Sequence, residues 1–157
     1  MNGKLHLYLF VTALSLLGSL TGCDERILYH SYHSIPSEGW ERHDTLVFRP
    51  DTVCHAGNYR FDLELRATEK YPSQSVWLVV ESRFSLPAPT TRRDTVECLL
   101  IDPETHRTGR GIHTYQYNIP LYSQHLTKGE TCEIRIRHCM HRENLHGLRD
   151  IGIRIMR

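Results

Sequence analysis

The sequence predicts an all-β protein: a single antiparallel β-sandwich of the jelly-roll or Ig-like kind, with about seven strands, after an N-terminal signal peptide. Three observations support this prediction. Apolar residues recur in short runs, which turn residues interrupt about every eight to twelve positions. Within several runs apolar and charged residues alternate, as in strands that bury one face. No segment shows the longer period of an amphipathic helix.

Three of these runs alternate strictly enough to predict strands with one buried face and one solvated face. In the first, Tyr59 to Arg66, apolar residues occupy the odd positions and charged or polar residues the even ones. The second, Glu130 to Arg137, places Cys132, Ile134 and Ile136 inward. The third carries Ile151, Ile153 and Ile155.

The run from Val76 to Val80 is apolar on both faces, which predicts a central strand covered on each side, with Trp77 in the core. Further strands are predicted at Asp44–Phe48, Thr95–Ile101 and His113–Ile119. A tight turn is predicted at Thr127–Glu130. Short helical turns are predicted near Leu121–Leu126 and Arg142–Leu148.

The first residues have the pattern of a secretory signal peptide. Lys4 precedes an apolar stretch from Leu5 to Leu17, which is shorter than the roughly 20 apolar residues of a membrane span. The segment closes on Leu20-Thr21-Gly22-Cys23, the pattern of a lipobox, where small residues give a signal peptidase access to the backbone. We therefore expect residues 1–22 to be removed and Cys23 to carry lipid as the new N-terminus.

The remaining chain of about 135 residues is long enough for one domain with a single core. Residues 23–39 are polar and rich in turn formers, so we expect a lipidated tether and lead-in segment there. The sandwich domain is predicted to span residues 40–157, beginning at Trp40. Asp24 and Glu25, directly after Cys23, are either a sorting signal or part of a solvated tether. An outer-membrane location is favoured, and the leaflet stays open.

Charge and lipid indicate the kind of partner. After the leader, 18 basic residues balance 18 acidic ones, which argues against a nucleic-acid partner. The same balance gives no electrostatic attraction to anionic lipid, so membrane attachment is expected through the acyl chains on Cys23.

Four further cysteines, Cys54, Cys98, Cys132 and Cys139, allow three disulfide pairings in an oxidising compartment. A bridge between Cys132 and Cys139 is disfavoured, because an odd separation along a strand places them on opposite faces. A bridge between Cys54 and Cys98 and buried free thiols both stay open.

Ten histidines remain after the leader, and the densest group is His138, Cys139, His141 and His146. No second ligand pair at zinc spacing accompanies it, so we expect loop histidines rather than a metal site. The carboxylates Glu64, Glu81, Glu97 and Asp102 are the candidates for a glycosidase-like pair, but outward strand positions are often acidic. Hydrolase and phosphate-binding motifs are absent, so we expect no enzyme activity, catalytic residue or cofactor.

Aromatic side chains suggest a different function, the binding of sugars by stacking. The candidates are Trp40, Tyr71, Tyr115, Tyr117 and Tyr122. Tyr115 and Tyr117 alternate within one predicted strand, however, which favours inward packing. A surface lipoprotein that binds glycans is therefore the alternative hypothesis for the function of this protein.

A series of short motifs follows in order along the chain: the lipobox at Cys23, Tyr29-x-x-Tyr32, Trp40, Asp44–Phe48, Tyr59–Arg66, Tyr71-Pro72, Val76–Leu78, Arg93–Glu97, Gly109-Arg110-Gly111 and Leu145–Ile153. In this order the chain resembles the GldH family of gliding-motility lipoproteins from Bacteroidota. The resemblance implies a non-enzymatic envelope lipoprotein. Its partners would be other lipoproteins of the gliding apparatus or the associated secretion machinery, and no catalytic residue transfers. The glycine stretch departs from the family pattern, because it lacks the expected aromatic partner beside it.

Overall fold

The structure, a computed structural model, describes residues 27–102, 104 and 106–157, so the predicted signal peptide and Cys23 lie outside the described residues. Within that part of the chain every regular element is a strand. The strands are β1 (Ile27–Ser34), β2 (Trp40–Glu41), β3 (Leu46–Phe48), β4 (Gly57–Thr68), β5 (Ser75–Phe84), β6 (Thr90–Leu99), β7 (Ile101–Asp102), β8 (His106–Arg107), β9 (Thr114–Leu126), β10 (Cys132–His138), β11 (Asn144–Leu145) and β12 (Leu148–Met156). No helix among the described residues is long and apolar enough to cross a bilayer.

Eight of these strands form two four-stranded antiparallel sheets. Sheet 1 has the order β1-β12-β4-β9, and sheet 2 has the order β3-β10-β5-β6. When the two-residue strands are left out, these two sheet orders match the strand order of a jelly roll. The predicted all-β sandwich is thereby confirmed, and of the two predicted kinds the jelly roll is the one that the strand order matches.

The core lies between the two sheets and contains the side chains that the alternating runs placed inward. Sheet 1 contributes Phe61, Leu63 and Leu65 together with the isoleucines of β12, all fully buried. Sheet 2 contributes Ile134 and Ile136 of β10, while Glu133, Arg135 and Arg137 point the other way. Burial of one face explains why period-two alternation predicted these three strands.

The domain begins earlier than predicted. Residues 27–34, assigned from the sequence to the tether and lead-in segment, form β1, which pairs with β12 from Ile27 opposite Met156 to Ser34 opposite Asp150. The prediction that the domain starts at Trp40 is therefore wrong. The reason is that β1 is an edge strand whose side chains are half-buried or exposed, so tyrosine, histidine and serine largely replace the aliphatic residues that mark a central strand.

Strand number and the two helical turns also differ from the prediction. Twelve strands occur among the described residues instead of about seven, because four are two-residue pieces and β1 was missed. The strand predicted to end at Ile119 continues through Pro120 to Leu126 as part of β9. Proline is tolerated there because β9 is an edge strand with a bulge at this point. Residues 142–148 contain β11 and the start of β12 instead of a helical turn.

The turn predicted at Thr127–Glu130 is confirmed. The Glu130 backbone N–H donates to the Thr127 carbonyl at 3.1 Å, and Gly129 has a φ of 87°, a conformation that favours glycine. The buried Glu130 carboxylate accepts the Thr127 backbone N–H at 2.7 Å and its hydroxyl at 3.0 Å. The turn therefore closes on its own side chains between β9 and β10.

Candidate interaction surfaces

The outer face of sheet 1 holds two carboxylates that the sequence placed in solvent. Asp62 and Glu64 are 1% and 2% exposed, although they occupy the even, outward positions of β4. The prediction of a wet face is wrong at these two positions. Their burial requires charge partners on the neighbouring strands, because an unpaired buried carboxylate is costly.

Side chains from β1 and β12 supply those partners. The Tyr32 hydroxyl donates to Glu64 Oε2, and His30 Nε2 lies 2.9 Å from the same oxygen. Arg154 Nε lies 3.2 Å from Glu64 Oε1, and its Nη2 lies 3.2 Å from Asp62 Oδ2. Arg60 Nε lies 3.3 Å from Asp62 Oδ2. The carboxylates therefore tie strand β1 to β12 and β4.

Glycine at position 152 makes this contact possible. A Cβ at Gly152 would lie 2.6 Å from two ring carbons of Tyr32 and 3.1 Å from the Ser31 carbonyl oxygen. Only a bare backbone lets the Tyr32 ring lie across β12 and reach Glu64 on the next strand. Arg66 stacks on the Tyr32 ring, with its guanidinium carbon 4.1 Å from the ring centroid.

Opposing effects set the ionisation of this pair. Burial raises the pKa of Glu64, but hydrogen bonds from Tyr32 and His30, with the charges of His30 and Arg154, outweigh it and lower the pKa overall. Burial, followed by the hydrogen bond to Glu64, raises the pKa of Tyr32 to about 12. Tyr32 therefore stays a neutral donor and Glu64 an ionised acceptor.

The outer face of sheet 2 is the second surface, and it carries Trp77. Trp77 is 41% exposed, whereas Val76, Leu78 and Val80 of the same strand point into the core. The prediction that both faces of this strand are covered, with Trp77 in the core, is wrong. An apolar composition on both faces marks a central strand, which β5 is, but does not reveal whether the outer face is covered.

Charged residues surround Trp77 on that face. The register places Glu97 opposite Trp77 and Arg93 opposite Glu81. Arg83 pairs with Glu81 at 2.7 Å, and Glu133 lies 3.0 Å from Arg49 and 3.5 Å from Arg135. Among the described residues, Arg93 and Arg137 have no carboxylate partner. A shallow concavity of about 200 Å³ on this face is lined by Thr45, Val79, Glu81, Arg83, Arg135 and Arg137.

The aromatic residues predicted as a sugar platform are mostly in the core. Trp40 is 1% exposed and donates its indole N–H to the Asp44 carbonyl at 3.1 Å. Tyr71 and Tyr117 are each 4% exposed. Tyr115 and Tyr122 are half-buried against the core. The inward packing predicted for Tyr115 and Tyr117 is confirmed, and the five side chains form no exposed platform.

The histidine and cysteine group at the end of β10 is spread over both faces. His138 is fully buried, with Nε2 3.1 Å from the Trp40 carbonyl, and burial lowers its pKa. Cys139, His141 and His146 are exposed. Within the described part of the chain, no three His, Cys, Asp or Glu side chains are placed to hold a metal ion.

All four cysteines of the described residues are free thiols in the structure. Cys98 and Cys132 are buried, and Cys54 and Cys139 are exposed. The bridge considered between Cys54 and Cys98 is therefore not formed. Burial, with smaller contributions from the charges of Glu97 and Glu130, raises the pKa of Cys98 and of Cys132 to about 12.

The fold places Glu64 and Asp102 apart from the other two candidate carboxylates. Glu64 lies on the outer face of sheet 1, whereas Glu81 and Glu97 lie on the outer face of sheet 2. Asp102 lies in β7, outside both four-stranded sheets. The pairing of Glu64 with either glutamate would need to cross the whole sandwich.

The glycine stretch packs against an aromatic side chain, Tyr117, that comes later in the sequence. A Cβ at Gly109 would lie 2.6 Å from Cζ of the Tyr117 ring, so the loop packs closely on β9. The predicted departure of this stretch from the family pattern concerns the residues beside it in the sequence, so it stays a prediction. A cavity of about 620 Å³ beside this loop is lined by residues that include Arg110, Gln116, Glu64 and Arg154.

These features define a class of protein: a small antiparallel β-sandwich of jelly-roll order, with one outer face closed by its own ion pairs and the other carrying an exposed tryptophan. The chain belongs to the GldH lipoprotein family, whose model matches residues 27–155. Membership makes it a lipoprotein, a lipid-anchored protein of the cell envelope. The predicted resemblance is thus confirmed.

The chain is also similar to solved structures, at low identity. A crystallised protein from Sulfurospirillum deleyianum shares 11% identity at a TM-score of 0.41, over 82% of this chain and 96% of that one. Dimeric latent PorU from Porphyromonas gingivalis shares 7% identity at a TM-score of 0.33, over 86% of this chain and 14% of that one. A chain in the structure of infectious bursal disease virus, Gx strain, shares 12% identity at a TM-score of 0.30, over 84% of this chain and 31% of that one. No curated protein matches the chain.

Proposed function

We propose that this chain is a non-enzymatic lipoprotein of the outer membrane, which acts as an interaction component of the gliding apparatus or of the secretion machinery associated with it. The observation that carries the proposal is the match of the GldH lipoprotein model to residues 27–155, the whole of the sandwich. Its partners are then other envelope lipoproteins or proteins of the secretion apparatus. Whether the organism glides is a separate question.

Lipid on Cys23 is the proposed anchor, and the fold adds a consequence. Ile27, where β1 begins, follows Cys23 by four residues, which span at most about 14 Å of extended chain. The end of the sandwich that carries Ile27 is therefore held next to the bilayer.

A non-enzymatic role is supported by the placement of the acidic residues. Glu64 lies on the opposite face of the sandwich from Glu81 and Glu97, and its two oxygens are contacted by Tyr32, His30 and Arg154. A general acid or base must reach its substrate, and Glu64 is 2% exposed.

The glycan-binding alternative draws no support from the aromatic residues that suggested it. Trp40, Tyr71 and Tyr117 are buried and cannot stack on a sugar without unfolding. The assembly role is therefore the function that we retain.

The test is crosslinked co-purification of the tagged, lipidated protein from its native envelope, with partners identified by mass spectrometry. We expect other gliding or secretion proteins to be enriched over a Cys23→Ser control, which lacks the anchor. Enrichment of outer-membrane glycan importers alone would overturn the proposal in favour of glycan capture. Equal partitioning of the Cys23→Ser protein into membranes would overturn the anchor.

A further inference from the structure

We propose that the outer face of sheet 2, centred on Trp77 and Arg137, is the docking surface for a partner protein that contributes an acidic segment. This assignment rests on the proposed function, because it names the surface through which an interaction component would bind. Neither the family match nor the solved structures assign this face a role.

The first step is the uncovered apolar strand. Trp77 is 41% exposed on β5, an interior strand of sheet 2, and Leu99, at an outward register position of the neighbouring strand β6, is 44% exposed. Met140 lies beside Trp77, with its sulfur 3.3 Å from the Trp77 backbone nitrogen. Tryptophan is enriched among the residues that dominate the binding energy of interfaces. A large aromatic side chain in this position is therefore suited to fill a pocket on a partner.

The second step is the surplus of positive charge. On this face the arginines at positions 49, 83, 93, 135 and 137 face glutamates at 81, 97 and 133. Arg137 lies opposite Val79, in the row next to Trp77, and has no carboxylate within the described chain. Its planar guanidinium matches a carboxylate with two hydrogen bonds. Because opposite charges attract across an interface, the unpaired arginines favour a partner segment that carries acidic residues.

The third step is the contrast with sheet 1. There Arg154 pairs with Glu64 and Asp62, Arg60 with Asp62, and Arg66 with Asp150 at 3.8 Å. These three arginines each pair with a carboxylate of the same face, and Tyr32 lies across β12. Of the two described outer faces, only that of sheet 2 combines arginines that lack a carboxylate partner with an exposed aromatic side chain, Trp77.

The fourth step excludes other occupants. A second copy in a two-fold symmetric contact would bring the same surplus of arginine against itself. A bilayer would have to reach the end of the sandwich remote from the anchor. Arg60 of β4 is level with Ile27 through Met156, and β4 runs from there to Thr68; β5 then starts at Ser75, so Trp77 lies near the end remote from Ile27. A protein segment with acidic side chains fits both constraints.

The experiment is photo-crosslinking in cells that express the full lipidated chain. A photoreactive residue replaces Thr95, which is exposed on the sheet 2 face opposite Val79, or, as a control, Asn118, which is exposed on the sheet 1 face opposite Glu64. Each of these two photoreactive chains is also made with Trp77→Ala and, separately, with Arg137→Glu. The matched charge reversal is Arg149→Glu, at an exposed position of β12. Thermal unfolding of each purified variant verifies that it folds.

We expect position 95, and not 118, to form an adduct with one of the co-purifying envelope proteins, through a peptide rich in Asp or Glu. Trp77→Ala and Arg137→Glu should each lower its yield by at least about tenfold, and Arg149→Glu should leave it unchanged. Added salt should also lower the yield.

Three results would overturn the docking assignment while the proposed function stands: an adduct that ignores the Trp77 and Arg137 variants, an adduct from position 118 instead, or a partner peptide without acidic residues. An adduct only between two copies, or only with lipid, would also overturn it. If co-purification recovers no envelope protein at all, the proposed function fails first.

Discussion

Tyr32 and Glu64 meet across strand β12, although they lie on β1 and β4, which are not neighbours in sheet 1. The contact exists because residue 152, between them, has no side chain. It holds the first strand of the domain, and with it the chain that leads back to the proposed lipid anchor, onto the body of the sandwich. The first predictions concern this contact.

Glu64→Gln should destabilise the protein. It leaves the Arg154 guanidinium without one of its two carboxylates and replaces a charged acceptor by a neutral one. The expected loss is about 1–3 kcal/mol in the free energy of unfolding, measured by urea denaturation. Glu133→Gln, which removes an exposed ion pair on sheet 2, is the matched control and should change stability by less than about 1 kcal/mol. Equal effects of both variants would contradict the role assigned to Glu64.

Stability should depend on pH through the same carboxylate. The pKa of Glu64 in the folded protein lies below its usual value of 4.5, so its contribution is complete above that pH and is lost as pH falls through the lowered pKa. The difference in Tm between wild type and Glu64→Gln should therefore be constant near neutral pH and shrink below about pH 4.5. A difference that grows as the pH falls would contradict the lowered pKa.

Gly152→Ala should displace Tyr32. The added methyl group would meet the ring at 2.6 Å, and the ring cannot move aside without giving up its hydrogen bond to Glu64. We expect a loss of about 1–3 kcal/mol in unfolding free energy. In the Tyr32→Ala background, where no ring obstructs the methyl group, the same substitution should cost markedly less. Identical costs in the two backgrounds would show that the glycine serves another purpose.

The thiols should fall into two classes. In a purified Cys23→Ser protein, Cys54 and Cys139 are exposed and should react rapidly with an aromatic disulfide reagent at pH 8. Cys98 and Cys132 are buried, with the pKa of each raised to about 12, and should react only after unfolding. Two thiols in the folded protein and four in denaturant is the expected count. Fewer than four in denaturant would reveal a disulfide.

The sequence predicted the strands that bury one face, because β4, β10 and β12 carry apolar residues at every second position. It missed β1, whose Tyr29, Ser31 and His33 give no apolar stripe and whose place is set by β12, more than 100 residues away. Edge strands are weakly marked in composition, since only part of each side chain is buried.

The candidate surfaces were harder to predict than the fold. The burial of Glu64 depends on Tyr32, His30 and Arg154, which are remote in sequence, so the alternation of β4 alone suggested a wet face. One signal was available: Gly152 interrupts a run of isoleucines, and glycine inside a strand often marks a close approach. For Trp77, composition showed an apolar strand but not which of its faces remains open.

The most direct measurement is quantitative crosslinked co-purification of the lipidated protein, wild type against a Trp77→Ala/Arg137→Glu double variant, from the same native envelope. We expect the wild type to enrich other lipoproteins or secretion proteins, and the double variant to lose them while it stays folded and membrane-bound. Recovery of the same proteins in the same amounts by both would contradict docking through sheet 2. Recovery of no envelope protein by the wild type would contradict an interaction role altogether.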